Sequence, residues 1–236
     1  MQRRNVLAGI GTAALASIAG CLGTVGLDEH EASPAGVDSD VRSETGYELV
    51  GVEEVGVEET VGAAGLSETV VVRNYLTECE KAVGVEPIGE QRAAVFTVLS
   101  TPQVGVAGWN VNPVEEMSTA ELVSLVEDNY DDIDNISHED DDEFSVLGQT
   151  TTHATFTADA VFDGVDLEVN LHVTEAVETD DDLLVTIGVY PREVELEEEE
   201  NVRELIAAVT ETLDDEDADE GTDDEGADDE DDGLLG

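Results

Sequence analysis

Asp163-Gly164 is the most constraining pair in the chain, because it divides two runs in which apolar and polar residues alternate. A two-residue Asp-Gly loop favours a type I′ turn, whose twist suits two paired strands. Counting outward from it predicts a register. Phe162 faces Val165, Ala160 faces Leu167, Ala158 faces Val169 and Phe156 faces Leu171. All eight are apolar and fall on one side of the ribbon. The other side carries Thr155, Thr157, Asp159, Glu168, Asn170 and His172, which predicts a solvent-facing surface. The register sets Asp159 across from Glu168, a like-charge pair that costs stability in water. Concentrated salt or a bridging cation relieves it.

The same alternation, broken by two helical periods, extends over the chain. Residues 47–61 read as β, with Val50 and Val52 out of phase with Val55 and Val57. The Glu53-Glu54 pair at the phase change predicts a bulge. Residues 62–65 read as a turn, 70–81 as a returning strand, 93–100 as a buried central strand and 104–111 as a shorter one carrying Trp109. A helix capped near Ser118 runs to about Tyr130, with Leu122, Val123, Leu125 and Val126 on its buried side. Residues 128–143 read as an acidic loop, and the next strand starts at Phe144. A second hairpin turns through residues 179–182. A last helix over residues 197–213 carries Val202, Leu205, Ile206, Val209 and Leu213 as its stripe. The expected fold is α+β: a twisted antiparallel sheet of about six to eight strands with two principal helices packed on it.

Charge sets the environment. The chain of 236 residues holds 60 Asp and Glu against 8 Lys and Arg, a formal net charge of -52. Such self-repulsion opposes compaction at ordinary ionic strength. At molar salt the Debye length falls to about 3 Å and the repulsion is screened. Near-absence of Lys with acidic residues spread through apolar segments points to a halophile. Nucleic acid is an unsuitable partner, because the basic footprint it requires is missing. Hydrophobic residues at 40 % supply a core; aromatics at 4 % mean that the core is built from Val, Leu, Ile and Ala.

The N-terminus carries an address. Arg3-Arg4 precede an uncharged run rich in Gly, Ala, Ser and Thr, then Ile18-Ala19-Gly20-Cys21. This layout reads as a twin-arginine export signal ending in a lipoprotein cleavage site between Gly20 and Cys21. The run falls short of the roughly 20 apolar residues of a transmembrane helix. An uncleaved N-terminal anchor is the alternative; both put the bulk of the chain outside the cytoplasmic membrane. Cleavage leaves Cys21 as the lipidated N-terminus. The organisation is then signal 1–20, tether 21–31, one α+β domain 32–213 and an acidic tail 214–236, whose lack of apolar residues predicts disorder.

Candidate sites are few. Asp131, Asp132 and Asp134, with the acidic run from Glu139 through Asp142 to Glu143 beside His138, could offer carboxylates to a divalent cation. The Gly and spacing of an EF-hand are absent, and clusters of this kind arise from composition in so acidic a chain. His30, His138, His153 and His172 are scattered, and no third ligand has metal-site spacing beside His153 and His172, which read as solvent-facing strand residues. Cys79, between Glu78 and Glu80, reads as structural, since a reactive thiol needs cationic neighbours. Asn135-Ile136-Ser137 is a glycosylation sequon. Trp109 sits beside Pro102, Asn112 and Pro113 and reads as a packing residue between strand and helix. No nucleophile elbow, P-loop or dinucleotide fingerprint occurs. No cofactor is expected.

The lipobox, Ala32-Ser-Pro-Ala35, Thr45-Gly-Tyr47, Val98-Leu-Ser-Thr-Pro102, Asn112-Pro113, Met117-Ser118, Val173-Thr-Glu-Ala176 and Tyr190-Pro191 together resemble a family of uncharacterised haloarchaeal Tat-exported lipoproteins. The resemblance implies kinship and no chemistry, since these are turn and packing residues. The element order is similar to that of PsbP-like accessory lipoproteins. The expected function is non-enzymatic: a binding or accessory module, lipid-anchored through Cys21 at the extracytoplasmic face of the cell membrane, docking on a membrane or surface protein. A solute- or cation-binding lipoprotein is the alternative, and an exported hydrolase the third.

Overall fold

The computed structural model describes residues 29–63, 66–86, 89–106, 109–110, 112–129, 133–162 and 165–213. In chain order the elements are β1 (Glu29–Glu31), β2 (Gly36–Val37), α1 (Ser39–Thr45), β3 (Glu48–Ala63), β4 (Leu66–Val85), β5 (Gly89–Pro102), β6 (Gly105–Val106) and β7 (Trp109–Asn110). A 3₁₀ turn (Pro113–Glu116), α2 (Thr119–Asn129), β8 (Ile133–Val146), β9 (Gln149–Phe162), β10 (Val165–Thr174), β11 (Val177–Glu178) and β12 (Asp182–Pro191) follow. A second 3₁₀ turn (Arg192–Val194), α3 (Glu195–Ala207) and β13 (Val209–Thr210) complete the described chain.

Among the described residues, nine strands form one sheet in the order β1-β4-β5-β12-β10-β9-β8, with β3 on the far edge of β4 and β11 beside β12. The fold is mostly-β α+β. The sheet is mixed, because β1 runs parallel to β4. Three helices accompany it: α1, seven residues long, joins the two principal helices anticipated from the sequence. Asp38 caps α1 by accepting from the Asp40 and Val41 amides, and Gly46 closes it at φ 80, where a residue without Cβ is favoured.

Both faces of the sheet are covered. One packs Phe96, Val98, Leu184 and Tyr190 against Val202, Leu205 and Ile206 of α3 and Tyr47 after α1. The other packs Leu99, Leu171, Val173, Leu183 and Val185 against Val114, Leu122 and Val123. This double burial explains the near-continuous apolar runs of β5 and β12. Gly188 of β12 marks the close approach of α3: a Cβ there would lie 2.6 Å from Val202. At the start of α2, Ser118 and Glu121 form a reciprocal cap, the Ser118 amide donating to Glu121 Oε2 at 3.0 Å and the Glu121 amide to Ser118 Oγ at 3.4 Å.

The β9–β10 register is the one counted from the sequence, Phe162 to Val165 through Phe156 to Leu171, with Asp159 opposite Glu168; the Asp163-Gly164 turn itself lies outside the described residues. Four expectations are corrected. The bulge of β3 falls between Leu49 and Gly51, leaving Val50 unpaired, and pairing runs unbroken through Glu53-Glu54. Leu49 therefore faces α3 while Val55 and Val57 face α2. The 62–65 turn is shorter than expected, since Gly62 and Ala63 pair with Ser67 and Leu66; residues 64–65 lie outside the described chain. The acidic stretch read as a loop is largely the edge strand β8, paired with β9 from Ile133 to Val146. The last helix stops at Ala207, and Val209 turns away into β13 against β2. The tail, 214–236, lies outside the described residues.

Candidate functional site: a buried histidine relay

The face of β9–β10 opposite Phe156 and Leu171 lies partly under α3, and this corrects the expectation that its histidines meet solvent. His153 and His172 are each 1 % exposed. In the antiparallel register His153 pairs with Thr174 and His172 with Thr155, so the two rings are diagonal neighbours on one face. They stack at 20° with centroids 5.1 Å apart, and His172 stacks in turn on Tyr190 of β12.

Hydrogen bonds run through this stack in one direction. The Asp142 carboxylate on β8 lies 2.6 Å from His153 Nδ1. An N–H belongs at that position, so in the neutral ring Nε2 is an acceptor. His153 Nε2 lies 2.9 Å from His172 Nδ1, which donates to it. His172 Nε2 then accepts from the Tyr190 hydroxyl at 2.8 Å. Arg203 of α3 closes the outer end, its Nη2 donating to Asp142 Oδ2 at 2.7 Å, with its guanidinium over the Phe144 ring. Tyr190, His172 and His153 thus donate in sequence toward one carboxylate, and all four ring nitrogens have protein partners.

The electrostatics follow from burial and order. Burial, followed by the positive potential of His153 and Arg203, pushes His172 down to about 3. Burial alone would raise Asp142, but hydrogen bonds from His153 and Arg203 hold it below the usual carboxylate range. Burial pushes the Tyr190 phenol up, against the pull of the Asn170 hydrogen bond. Such a chain holds its tautomers fixed and links four strands to α3. It surfaces only at Asp142 and Arg203, 37 % and 36 % exposed. An open cleft of about 540 Å³ adjoins that end, lined by Phe144, Arg203, Leu196 and the acidic Glu199, Glu200 and Glu204.

A second polar knot ties α3 to β4. Glu198, 1 % exposed, accepts from Lys81 Nζ at 2.6 Å, Asn201 Nδ2 at 3.1 Å and the Tyr47 hydroxyl at 3.0 Å. Burial and the adjacent carboxylate push the Tyr47 phenol well above its ordinary value.

The residues singled out from the sequence fall elsewhere. Arg3, Arg4, Gly20, Cys21, Asp131 and Asp132 lie outside the described residues. Asp134 is an exposed residue of β8 facing Asp159. Asn135 follows it at φ 57, in a break of the β8–β9 register, and donates to Asp159 Oδ2 at 2.9 Å. Cys79 is buried on β4. Among the described residues, no group of three or more His, Cys, Asp or Glu is placed to hold a metal ion, and no helix is long and apolar enough to cross a membrane. Sequence reasoning missed Tyr190 and Arg203, and read Asp142 as one carboxylate of an acidic cation-binding cluster. Two histidines on one face of a hairpin were the available signal.

The chain belongs to the family described as a domain of unknown function, DUF6517, which matches residues 34–210. The solution structure of cyanobacterial PsbP (CyanoP) from Synechocystis sp. PCC 6803 is similar at 12 % identity and a TM-score of 0.35, over 75 % of this chain and 91 % of that one. No curated protein matches.

Proposed function

We propose that this chain is a non-enzymatic binding or accessory protein of a halophile, exported by the twin-arginine route and held by lipid on Cys21 at the outer face of the cell membrane. The observation that carries the reading is the position of Cys21. It ends the Arg3-Arg4 signal layout and stands eight residues before β1, the first described strand. Two acyl or ether chains there suffice for stable anchoring, where one is marginal. The non-enzymatic part is supported by the relay, whose ring nitrogens are occupied by Asp142, Tyr190 and each other. Both rings are 1 % exposed, so a substrate has no path to either nitrogen without opening the sheet.

The experiment is chemical cross-linking of cells in native brine, capture of the tagged protein and identification of what accompanies it, with Cys21→Ser as the unanchored control. One stoichiometric membrane partner, weakened in the control, is the expected result. Absence of any partner in both samples overturns the accessory reading.

A second reading is favoured by the cleft beside Asp142 and Arg203, in which one guanidinium lies among Glu199, Glu200 and Glu204. There the protein binds a cationic or zwitterionic solute. A ligand-dependent rise in Tm, through the linkage of binding to stability, distinguishes it.

A further inference from the structure

The β3–β4 hairpin outruns the rest of the sheet. β5 leaves β4 after the Tyr75–Ser100 pair and ends at Pro102. β3 stays paired with β4 as far as Ala63 and Leu66. Nine residues separate Tyr75 from Leu66, so at about 3.3 Å per residue the arm reaches about 30 Å past the last β4–β5 pair.

The far end of this arm is uncharged. Residues 60–67 contain no Asp, Glu, Lys or Arg, in a chain with 60 acidic residues; Glu68, across from Val61, is the first charge behind the tip. The turns at the opposite end of the sheet carry Glu86 and Glu90, and Asp163 and Asp166. The acidic turn at the same end, through Asp180 and Asp181, is tied to Gln103 by the Gln103 amide donating to Asp181 O. That level is about 20 Å behind the tip. The feet of the β6–β7 segment are held at this end too, Asn112 Nδ2 donating to Thr101 Oγ1 and Pro102 O. That segment is also uncharged and carries Trp109, a residue type favoured at membrane interfaces.

The tether leads to the same place. β1 lies parallel to β4, Glu29 beside Val71 and Glu31 beside Arg73. β3 fills the other edge of β4 at these positions, so β1 occupies the edge that β5 has left. Parallel pairing points the chain before Glu29 toward Leu66. Cys21 is eight residues before Glu29, a reach of up to about 28 Å. Val71 lies five residues from Leu66, about 17 Å along the strand. Lipid on Cys21 can therefore sit level with the tip.

The geometry points to the paired end of the arm, residues 62–63 and 66–67, as a second membrane contact that rests in the headgroup region beside the Cys21 lipid. The inference rests on the lipid-anchor reading above. Burying the carboxylates of an acidic body in lipid is costly even where salt screens its repulsion from an anionic leaflet. The uncharged tip approaches without that cost. The free backbone edge of β3 limits the contact to the interface, since unpaired amides are not tolerated in the hydrocarbon.

The test uses the full-length protein on vesicles of mixed phosphatidylcholine and phosphatidylglycerol in brine, with an environment-sensitive dye on Leu66→Cys and, at the opposite end, on Glu90→Cys. A bilayer-embedded quencher is expected to dim the dye at residue 66 about tenfold more than the dye at 90. Leu66→Asp is expected to raise the washed-off fraction with its circular dichroism unchanged. Equal quenching at the two sites, with the protein retained on vesicles through an acylated Cys21 verified by mass spectrometry, overturns the inference and leaves the anchor standing. An unmodified Cys21 with the protein in the supernatant overturns the anchor; quenching at residue 66 on added vesicles then still supports the arm contact, and its absence removes both.

Discussion

His153 Nε2 and His172 Nδ1 lie 2.9 Å apart with both rings buried, so each imidazole fixes the tautomer of the other. Protonating His172 breaks a bond to a buried neighbour. Removing one partner leaves the Tyr190 hydroxyl and His153 Nε2 unsatisfied, which costs about 1–3 kcal/mol per orphaned group. His172→Phe is expected to lose at least that much by denaturant titration in brine. His153→Phe/His172→Phe is expected to lose less than the sum of the two single variants. Strict additivity would sink the idea of a coupled chain.

Acid stability follows from the same pair. The unfolded His172 titrates near 6.5 and the folded one near 3. Between these values the unfolded state binds more protons, so stability rises with pH there. It is fully present above about 6.5 and falls by up to about 1.4 kcal/mol per pH unit as acid is added. Asp142, lowered in the fold, acts the same way at lower pH. Asp182, raised chiefly by burial against the pull of the Ser33 amide, opposes them over the carboxylate range. Melting at pH 7 and pH 5 in constant salt should show a drop in Tm that His172→Phe largely removes.

The Glu198–Lys81 pair is a test of buried charge. Lys81→Met strands the buried Glu198 carboxylate, and an uncompensated buried charge costs about 3–5 kcal/mol. Glu198→Ala leaves Lys81 its second partner, Glu197 at 3.3 Å, and is expected to cost less, as is Lys81→Met/Glu198→Leu, which removes both charges. Chemical denaturation of the single and double variants decides.

Gly188 is held by space rather than by backbone angle. Adding a methyl 2.6 Å from Val202 forces α3 outward, and overpacking of this kind costs about 1–3 kcal/mol. Gly188→Ala should be destabilised by that amount and largely restored by Val202→Ala, read from Tm in the two variants.

Salt dependence is expected to be steep. With a formal net charge of -52, dilution below about one molar salt lengthens the Debye screen and restores self-repulsion. Loss of far-ultraviolet circular dichroism on dilution is the expected outcome; a fold retained in dilute buffer would remove the case for a halophile.

The β9–β10 hairpin was legible because its information is local: an Asp-Gly loop and an alternation that admits one register. What covers its polar face was not, because α3 follows β10 only after β11 and β12. Nothing between Thr155 and His172 records that Val202, Leu205 and Ile206 need a sheet face to bury. β8 was misread for the opposite reason. As an edge strand it exposes much of its length to solvent, so the run from Ser137 to Glu143 lost the alternation that Phe144 and Val146 keep at its end. The bulge in β3 was detected as a change of phase but placed at the charged pair; the structure puts it at Val50, where one extra residue turns Leu49 to one face and Val55 to the other.

The parallel pairing of β1 with β4 has a mechanical side. A pull on the chain before Glu29 runs along the strand axis, so the β1–β4 hydrogen bonds share the load in shear instead of opening one by one. The Arg73–Glu29 ion pair and the Tyr75 hydroxyl on Glu31 brace the same three residues. A chain attached in this way transmits tension into β4, beside the edge strand β3, without first peeling its own strand.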